Sequence, residues 1–400
     1  MSDAFEAIRP YRDAEVPEVV ARLCADPMLI HAIGRYKFPR LSRAFPALSG
    51  RLIKSVFNYH FHKVVTVDQV QKRMVHFVEN IVDRSTSALR VTGLDQVPRD
   101  RACLFISNHR DIALDPALIN YALYHDGRQT VEIAIGDNLL ENPVVADIMR
   151  LNRSFVVQRS VEGVKARLMA LTRLSQYIAT TLQSGRSVWI AQREGRAKDG
   201  LDRTDPAVIK MLTLFARKAS LDFAQAIKQL SIVPVSLSYE YDPCDRLKAR
   251  ELVLRRSGDY RKGPGEDLQS ILDGIAGHKG RVCLHFNPPM TAACEDADDV
   301  ARAIDRAIIG SYQLFPSNLV ALAQLNQLPE DWSTLAEAAL HQLQEGTQML
   351  RTSMLRENPA LFETESQRFR TRLEACPADW RSQLQAMYAN PLISQVLLKS

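Results

Sequence analysis

Hydrophobic residues in the first 87 positions recur at intervals of three and four, the spacing of helices that bury one face. Between Ala14 and Asp26 the apolar positions are Val16, Val19, Val20, Leu23 and Cys24. Pro39 and Pro46 punctuate the next stretch. Leu48 to Val65 then mixes Leu52, Ile53, Val56, Phe57, Tyr59 and Phe61 with Arg51, Lys54, His60, His62 and Lys63. A segment of this kind either packs on its own domain or lies on a bilayer as a basic amphipathic helix. Thr66 to Ser87 predicts another helix, with Thr66 and Gln69 as a capping box and Val70, Met74, Phe77 and Ile81 as its stripe.

The pattern changes at Ala88, where short apolar runs begin to alternate with helical stretches. Strands are expected at 89–92, 102–107, 130–135, 154–158, 187–192 and 231–239, with two more at Glu251–Arg255 and Val282–Phe286. Asp115 and Pro116 predict a helix with the aspartate as its cap. Further helices are expected after the turn Gly136-Asp137-Asn138 as far as Leu151, from Val161 to Leu182 with Gly185 as the stop, and from Pro206 to Lys218 with another behind it. Strands alternating with helices imply an α/β fold, a mostly parallel sheet flanked by helices. From about residue 296 the periodicity is helical again, over 300–314, 318–327, 333–350, 365–375 and 379–388. The expected division is a helical N-terminal region over 1–87, an α/β domain over 88–295 and a helical C-terminal region over 296–400. The last of these is assigned no chemistry.

Composition narrows the classes. Apolar residues make up 46% of the 400, enough for a sizeable core. A net charge of +5 is too small to argue for nucleic acid, but it suits anionic substrates or an anionic membrane surface. Cys24, Cys103, Cys244, Cys283, Cys294 and Cys376 are scattered and read as reduced thiols of a cytoplasmic protein. The first residues lack the apolar core of a signal peptide. No run approaches the roughly 20 apolar residues of a spanning helix. If the chain acts on lipid it is expected on the inner face of a membrane, held peripherally.

Four short polar sites follow or lie on the expected strands, and ligands of such sheets gather at the carboxyl ends of strands. After the apolar run Leu104–Ser107 comes His109 with Asp111 and Asp115, in outline a base and its orienter, or else an ordinary polar turn. Arg153 and Arg159 flank the strand 154–158. Gln192 to Gly200 carries Arg193, Arg196 and Lys198 among two glycines, together with Glu194. That composition suits a bound phosphate, and its other reading is a solvated charged loop. The fourth site is Val233-Pro234-Val235-Ser236.

In this order the four sites resemble the blocks of the glycerolipid acyltransferase superfamily. The matching residues are Asn108, His109 and Asp115; Arg159; Glu194, Gly195 and Arg196; and Ile232-Val233-Pro234-Val235, led in by Val91–Pro98. Two spacings depart from the family. Five residues separate His109 from Asp115 where four are usual, which leaves Asp111 as an alternative orienter. The third block lacks a residue between Gly195 and Arg196, and Arg193 replaces the common proline. The resemblance implies the family's glycerol-3-phosphate acyltransferase-like fold and transfer of a fatty acyl group. The donor would be acyl-CoA or acyl carrier protein, and the acceptor hydroxyl that of a glycerol phosphate or a lysophospholipid. His109 would be the general base with Asp115, and Arg153, Arg159, Glu194, Gly195, Arg196 and Lys198 would form the substrate and phosphate site. No metal, no separate cofactor, no nucleic acid and no acyl-enzyme are expected. A thioester or lipid hydrolase using the same pair, and a non-catalytic lipid- or acyl-carrier-binding protein, are the competing functions. His109-Arg110-Asp111 also mimics the start of a kinase catalytic loop, but Pro116 stands where that loop needs asparagine. His285, in an apolar run, is expected to be a satisfied core residue.

Overall fold

A computed structural model describes residues 3–263, 265–291 and 294–398. The chain opens with five helices, α1 (Val16–Ala25), α2 (Pro27–Lys37), α3 (Pro39–Ala44), α4 (Pro46–Phe61) and α5 (Val67–Ser85). Prolines stand at the first positions of α2, α3 and α4, where a missing N–H costs nothing. The Thr66 hydroxyl caps α5, but Gln69 bonds the backbone of Val65 rather than closing the expected box.

The α/β part follows as β1 (Thr86–Thr92), β2 (Leu104–Ser107), α6 (Leu114–His125), β3 (Glu132–Gly136), α7 (Pro143–Leu151), β4 (Ser154–Val157), α8 (Val164–Gln183) and β5 (Val188–Ala191). It continues as α9 (Pro206–Leu212), α10 (Ala216–Ala219), α11 (Phe223–Leu230), β6 (Ile232–Tyr239), α12 (Asp245–Arg256), α13 (Glu266–Ala276) and β7 (Gly280–Phe286). The strands form one sheet in the order β1-β7-β6-β2-β5-β3-β4. Every neighbouring pair is parallel except β6 and β7. This is the expected mostly parallel sheet with helices on both faces. β2 is buried at every position because hydrophobic clusters cover both its sides, Leu104 and Ile106 in one and Phe105 in the other.

Several expected boundaries differ. The run Leu252-Val253-Leu254 lies in α12, not in a strand; its neighbours include five arginines and lysines that favour a helix with one packed face. The Gly136–Leu151 stretch is a 3-10 turn followed by α7, whose Asn142 accepts from Val144 and Val145 and restarts the helix. Asp115 is not the cap of α6. It lies inside the first turn, and the Asp111 carboxylate accepts from the Ala113 and Leu114 amides instead, at 3.0 and 2.8 Å.

The chain ends in α14 (Ala297–Ser311), α15 (Pro316–Ala323), α16 (Glu337–Glu357), α17 (Pro359–Glu374) and α18 (Ala378–Leu398). Helices α15 to α18 share a core that also takes in Tyr241 and Ala249, so this bundle is continuous with the segment that follows β6.

Candidate active site

Parallel β2 and β5 both point their carboxyl ends at the same place, and the polar loops after them meet there. Asn108 follows β2 and is fully buried, so its amide must be satisfied inside the protein. Its oxygen accepts from Leu237 N at 2.8 Å, and its nitrogen donates to Leu237 O at 2.9 Å and Asp202 Oδ2 at 3.1 Å. The side chain thus imitates one more strand residue beside β6 and fixes the chain direction just before His109.

His109 Nδ1 lies 2.8 Å from Asp115 Oδ2, and its ring meets the edge of Trp189 with centroids 5.7 Å apart. Asp115 has no exposed surface and is surrounded by donors. Its Oδ2 also accepts the Arg110 and Asp111 amides at 2.5 and 2.9 Å, and its Oδ1 accepts the Tyr239 hydroxyl at 2.8 Å. A carboxylate held this way accepts a proton-bearing Nδ1 and leaves the Nε2 lone pair of His109 outward. Burial and the Asp115 charge drive the Tyr239 phenol far above its ordinary range, so it stays a donor. Asp111, also buried, has its carboxyl pushed up by desolvation and by Asp115. Its remaining oxygen abuts α13, where a Cβ on Gly274 would sit 2.1 Å from Asp111 Oδ2.

The loop after β5 crosses the same space. The Gln192 amide donates to Ser107 O at 2.9 Å, and the Ala197 amide to His109 O at 2.7 Å. Between them Gly195 takes φ +74° with open space where its side chain would be. Glu194 is exposed and pairs with Arg159 at 3.4 Å, which joins the end of β4 to this loop. Arg159 lies against Gly136, with its guanidinium carbon 3.0 Å from the position of a Cβ there. Arg196, half-buried, reaches Ser270 Oγ of α13 at 3.4 Å.

His109, Asp115, Glu194, Gly195, Arg196 and Arg159 therefore belong to one neighbourhood, with Asp111 at its edge. Two sequence-picked cations do not. Arg153 precedes β4 at the amino end of the strands, has φ +57°, and is occupied by Asp68 and by Thr130 O at 3.1 Å. Lys198 turns to the buried Glu251 of α12, and burial pulls its ammonium down.

Sequence reasoning missed the groups that hold the loop from behind. Arg110 donates to Asp202 Oδ2 at 2.5 Å, and its carbonyl accepts from Lys248 Nζ at 2.6 Å. Lys248 is buried with Asp242 as its ionic partner. The turn carrying Asp242 is clamped by the C-terminal helices: Tyr388 Oη accepts the Asp242 amide at 2.8 Å, and Arg372 donates to Asp242 O at 2.8 Å. Nothing in the sequence marks these residues: Lys248 and Arg372 stand among other charges, in Arg246–Glu251 and Arg370–Glu374, and Asp242 begins an ordinary turn. His285 is half-buried and shares a hydrogen bond of 2.8 Å with Thr92.

Residues 88–238 match a family model described as Acyltransferase. The glycerol-3-phosphate acyltransferase of Pseudoalteromonas translucida is 28% identical over 190 residues, which cover 47% of this chain and 21% of that protein. That of Actinobacillus succinogenes is 28% identical over 188 residues, with the same coverage. The match thus spans about a fifth of these relatives' length. The 1-acyl-sn-glycerophosphate acyltransferase of Thermotoga maritima superposes with a TM-score of 0.37 at 15% identity, over 71% of this chain and 95% of that one.

Proposed function

We propose that this chain, whose residues 88–238 match the Acyltransferase family model, is a glycerolipid acyltransferase that moves a fatty acyl group from a thioester to the hydroxyl of a phosphate-bearing glycerolipid precursor. The observation that carries the reading is His109 Nδ1 held 2.8 Å from a carboxylate saturated with donors. His109 Nε2 takes the proton of the acceptor hydroxyl as its oxygen attacks the thioester carbonyl. The new ester C–O bond forms, the C–S bond breaks, and the proton on Nε2 passes to the departing thiolate. Asp115 keeps Nδ1 protonated and stabilises the imidazolium between these steps, as acids do in other His–Asp pairs. General-base assistance of this kind is worth roughly 10²–10⁴ in rate.

Arg159 and Arg196 hold the acceptor's phosphate in this scheme. Both are partly exposed, and neither pairs with a buried carboxylate. Lys198 is left out because it pairs with the buried Glu251, and Arg153 because it lies at the amino end of the strands, away from His109. The donor is acyl-CoA or acyl carrier protein, and the acceptor a glycerol phosphate or a lysophospholipid. The work takes place in the cytoplasm with the protein held peripherally on an anionic membrane. All six cysteines are free thiols, as a reducing compartment keeps them. No described helix is long and apolar enough to cross a membrane.

The test is thiol release from acyl-CoA and from acyl carrier protein, with and without glycerol 3-phosphate or a lysophospholipid. Release that depends on an acceptor is expected, and replacing Arg159 or Arg196 by alanine should raise the acceptor's KM more than it lowers kcat. Release that proceeds equally without any acceptor would identify a hydrolase instead.

A further inference from the structure

One peptide unit in the His109 loop is gripped at both ends. The Asp111 amide donates to Asp115 Oδ2 at 2.9 Å, and the carbonyl of the same unit, Arg110 O, accepts from Lys248 Nζ at 2.6 Å. A peptide group is planar, so fixing its carbonyl fixes the direction of its N–H. Lys248 is therefore joined to His109 by an unbroken series of hydrogen bonds. The ammonium donates to the carbonyl, the amide to the carboxylate, and His109 Nδ1 to that carboxylate at 2.8 Å. Bonds in such a series polarise one another.

Stability alone does not call for a cation at this place. Lys248 is 1% exposed, and Asp242 is buried with it. Buried ion pairs are often no more stabilising than apolar side chains of the same volume, because both charges must be stripped of water. A neutral donor would also satisfy Arg110 O. What the ammonium adds is strength, since an ionised donor makes a bond about twice as strong as a neutral one.

The C-terminal bundle sets where this lysine stands. The Asp242 amide donates to Tyr388 Oη of α18 at 2.8 Å, and Arg372 of α17 donates to Asp242 O at 2.8 Å. Tyr388 and Arg372 also hold Asp245, the first residue of α12, and Lys248 follows one turn on. Helix α18 reaches the other loop of the site as well, where Asn390 Nδ2 donates to Asp199 O at 2.7 Å.

We propose that Lys248 is a positioning residue for the His109–Asp115 pair, acting through the 110–111 peptide, and that α17 and α18 hold it in register. The helical C-terminal region, to which the sequence assigns no chemistry, thereby sets the geometry of the base. This inference rests on the acyl transfer proposed above for its kinetic consequence; the hydrogen-bond series stands without it.

The experiment compares the full chain with Lys248→Met, with the double variant Lys248→Met and Asp242→Asn, and with Tyr388→Phe. Each is followed by acceptor-dependent thiol release, by urea midpoints and by the proton resonance of His109 Nδ1–H, assigned by its loss in His109→Ala. The double variant removes the pair without stranding a charge, so it should regain part of the stability that Lys248→Met loses. Its kcat should nonetheless stay about tenfold to a hundredfold below the parent at an unchanged acceptor KM, since about 1 Å of misplacement is worth about a hundredfold. Its His109 resonance should shift from the parent's position, and Tyr388→Phe should shift it the same way by less. A lysine that only supports the fold would give a double variant whose kcat recovers with its stability and whose resonance does not move, and either result would overturn the proposal. So would a loss confined to the acceptor KM. If the parent releases no thiol from any donor, the transfer reading falls and the resonance alone decides the role of Lys248. If the parent transfers and the double variant matches it, the role falls and the transfer reading stands.

Discussion

Asp111 and Asp115 both neighbour His109 in sequence, and replacing each by asparagine separates their roles. Asp115 receives four donors: His109 Nδ1, two backbone amides and the Tyr239 hydroxyl, all within 2.9 Å. In Asp115→Asn the amide oxygen can keep the three bonds made at Oδ2, while its NH2 faces a Tyr239 hydroxyl free to turn and accept. The tautomer of His109 survives, and the charge opposite the imidazolium is lost. Two unit charges about 4 Å apart interact by about 4 kcal/mol at an effective dielectric constant of 20. That corresponds to a rate loss of about a thousandfold. Asp111 instead caps α6 through two amides, and asparagine caps as well as aspartate does. Asp111→Asn should therefore keep kcat within about threefold, since a neutral side chain also suits its buried site. The assay is acceptor-dependent thiol release at saturating donor, with urea midpoints to show that both variants remain folded. Equal losses in the two variants, or a large loss confined to Asp111→Asn, would refute the assignment of Asp115 as the group acting on His109.

Three further outcomes follow from the packing. Lys248→Met leaves Asp242 buried without its cation and should destabilise the protein by about 3–5 kcal/mol in urea unfolding, with partial recovery on adding Asp242→Asn. Gly200 has φ +82°, and a Cβ there would lie 2.1 Å from Met387 O. Gly200→Ala should cost at least about 1–2 kcal/mol from the backbone alone and should loosen α18 in hydrogen exchange. Burial pulls the Lys279 ammonium down to about 8 from 10.5. Between those values the unfolded chain holds a proton that the folded one does not, so stability rises with pH across that window. The rise should be about 2 kcal/mol and absent in Lys279→Met, as read from the difference in urea midpoints between pH of about 7.5 and about 9.5.

The strands were legible because a central parallel strand must be apolar on both faces, and Leu104–Ser107 and Val188–Ala191 stand out as such. The candidate pair was legible because its members lie close together in sequence, after one strand. Whether Asp111 or Asp115 faces His109 was not, since that depends on where α6 starts. The additional residue between histidine and aspartate is taken up by the turn that Asp111 caps, which lets Asp115 arrive at the imidazole from inside the helix. The charged loop 192–200 showed its composition but not its allegiances. Lys198 looks like a phosphate ligand until α12 brings Glu251 beside it, and the Leu-Val-Leu run of α12 itself has the look of a strand. Arg153 failed for a simpler reason: an arginine before a strand lies at the opposite end of the sheet from one after it. Tyr239, Asp202 and Lys248 are each more than 90 residues from His109, and only the folded chain shows that their polar atoms converge on its loop.

The most direct test of the account is the rate of acceptor-dependent thiol release by His109→Ala beside the parent, with acceptor binding measured separately. The account predicts a fall of at least about a hundredfold with the acceptor still bound and the fold intact, because only the base is missing. Parent-like release from the variant would contradict it.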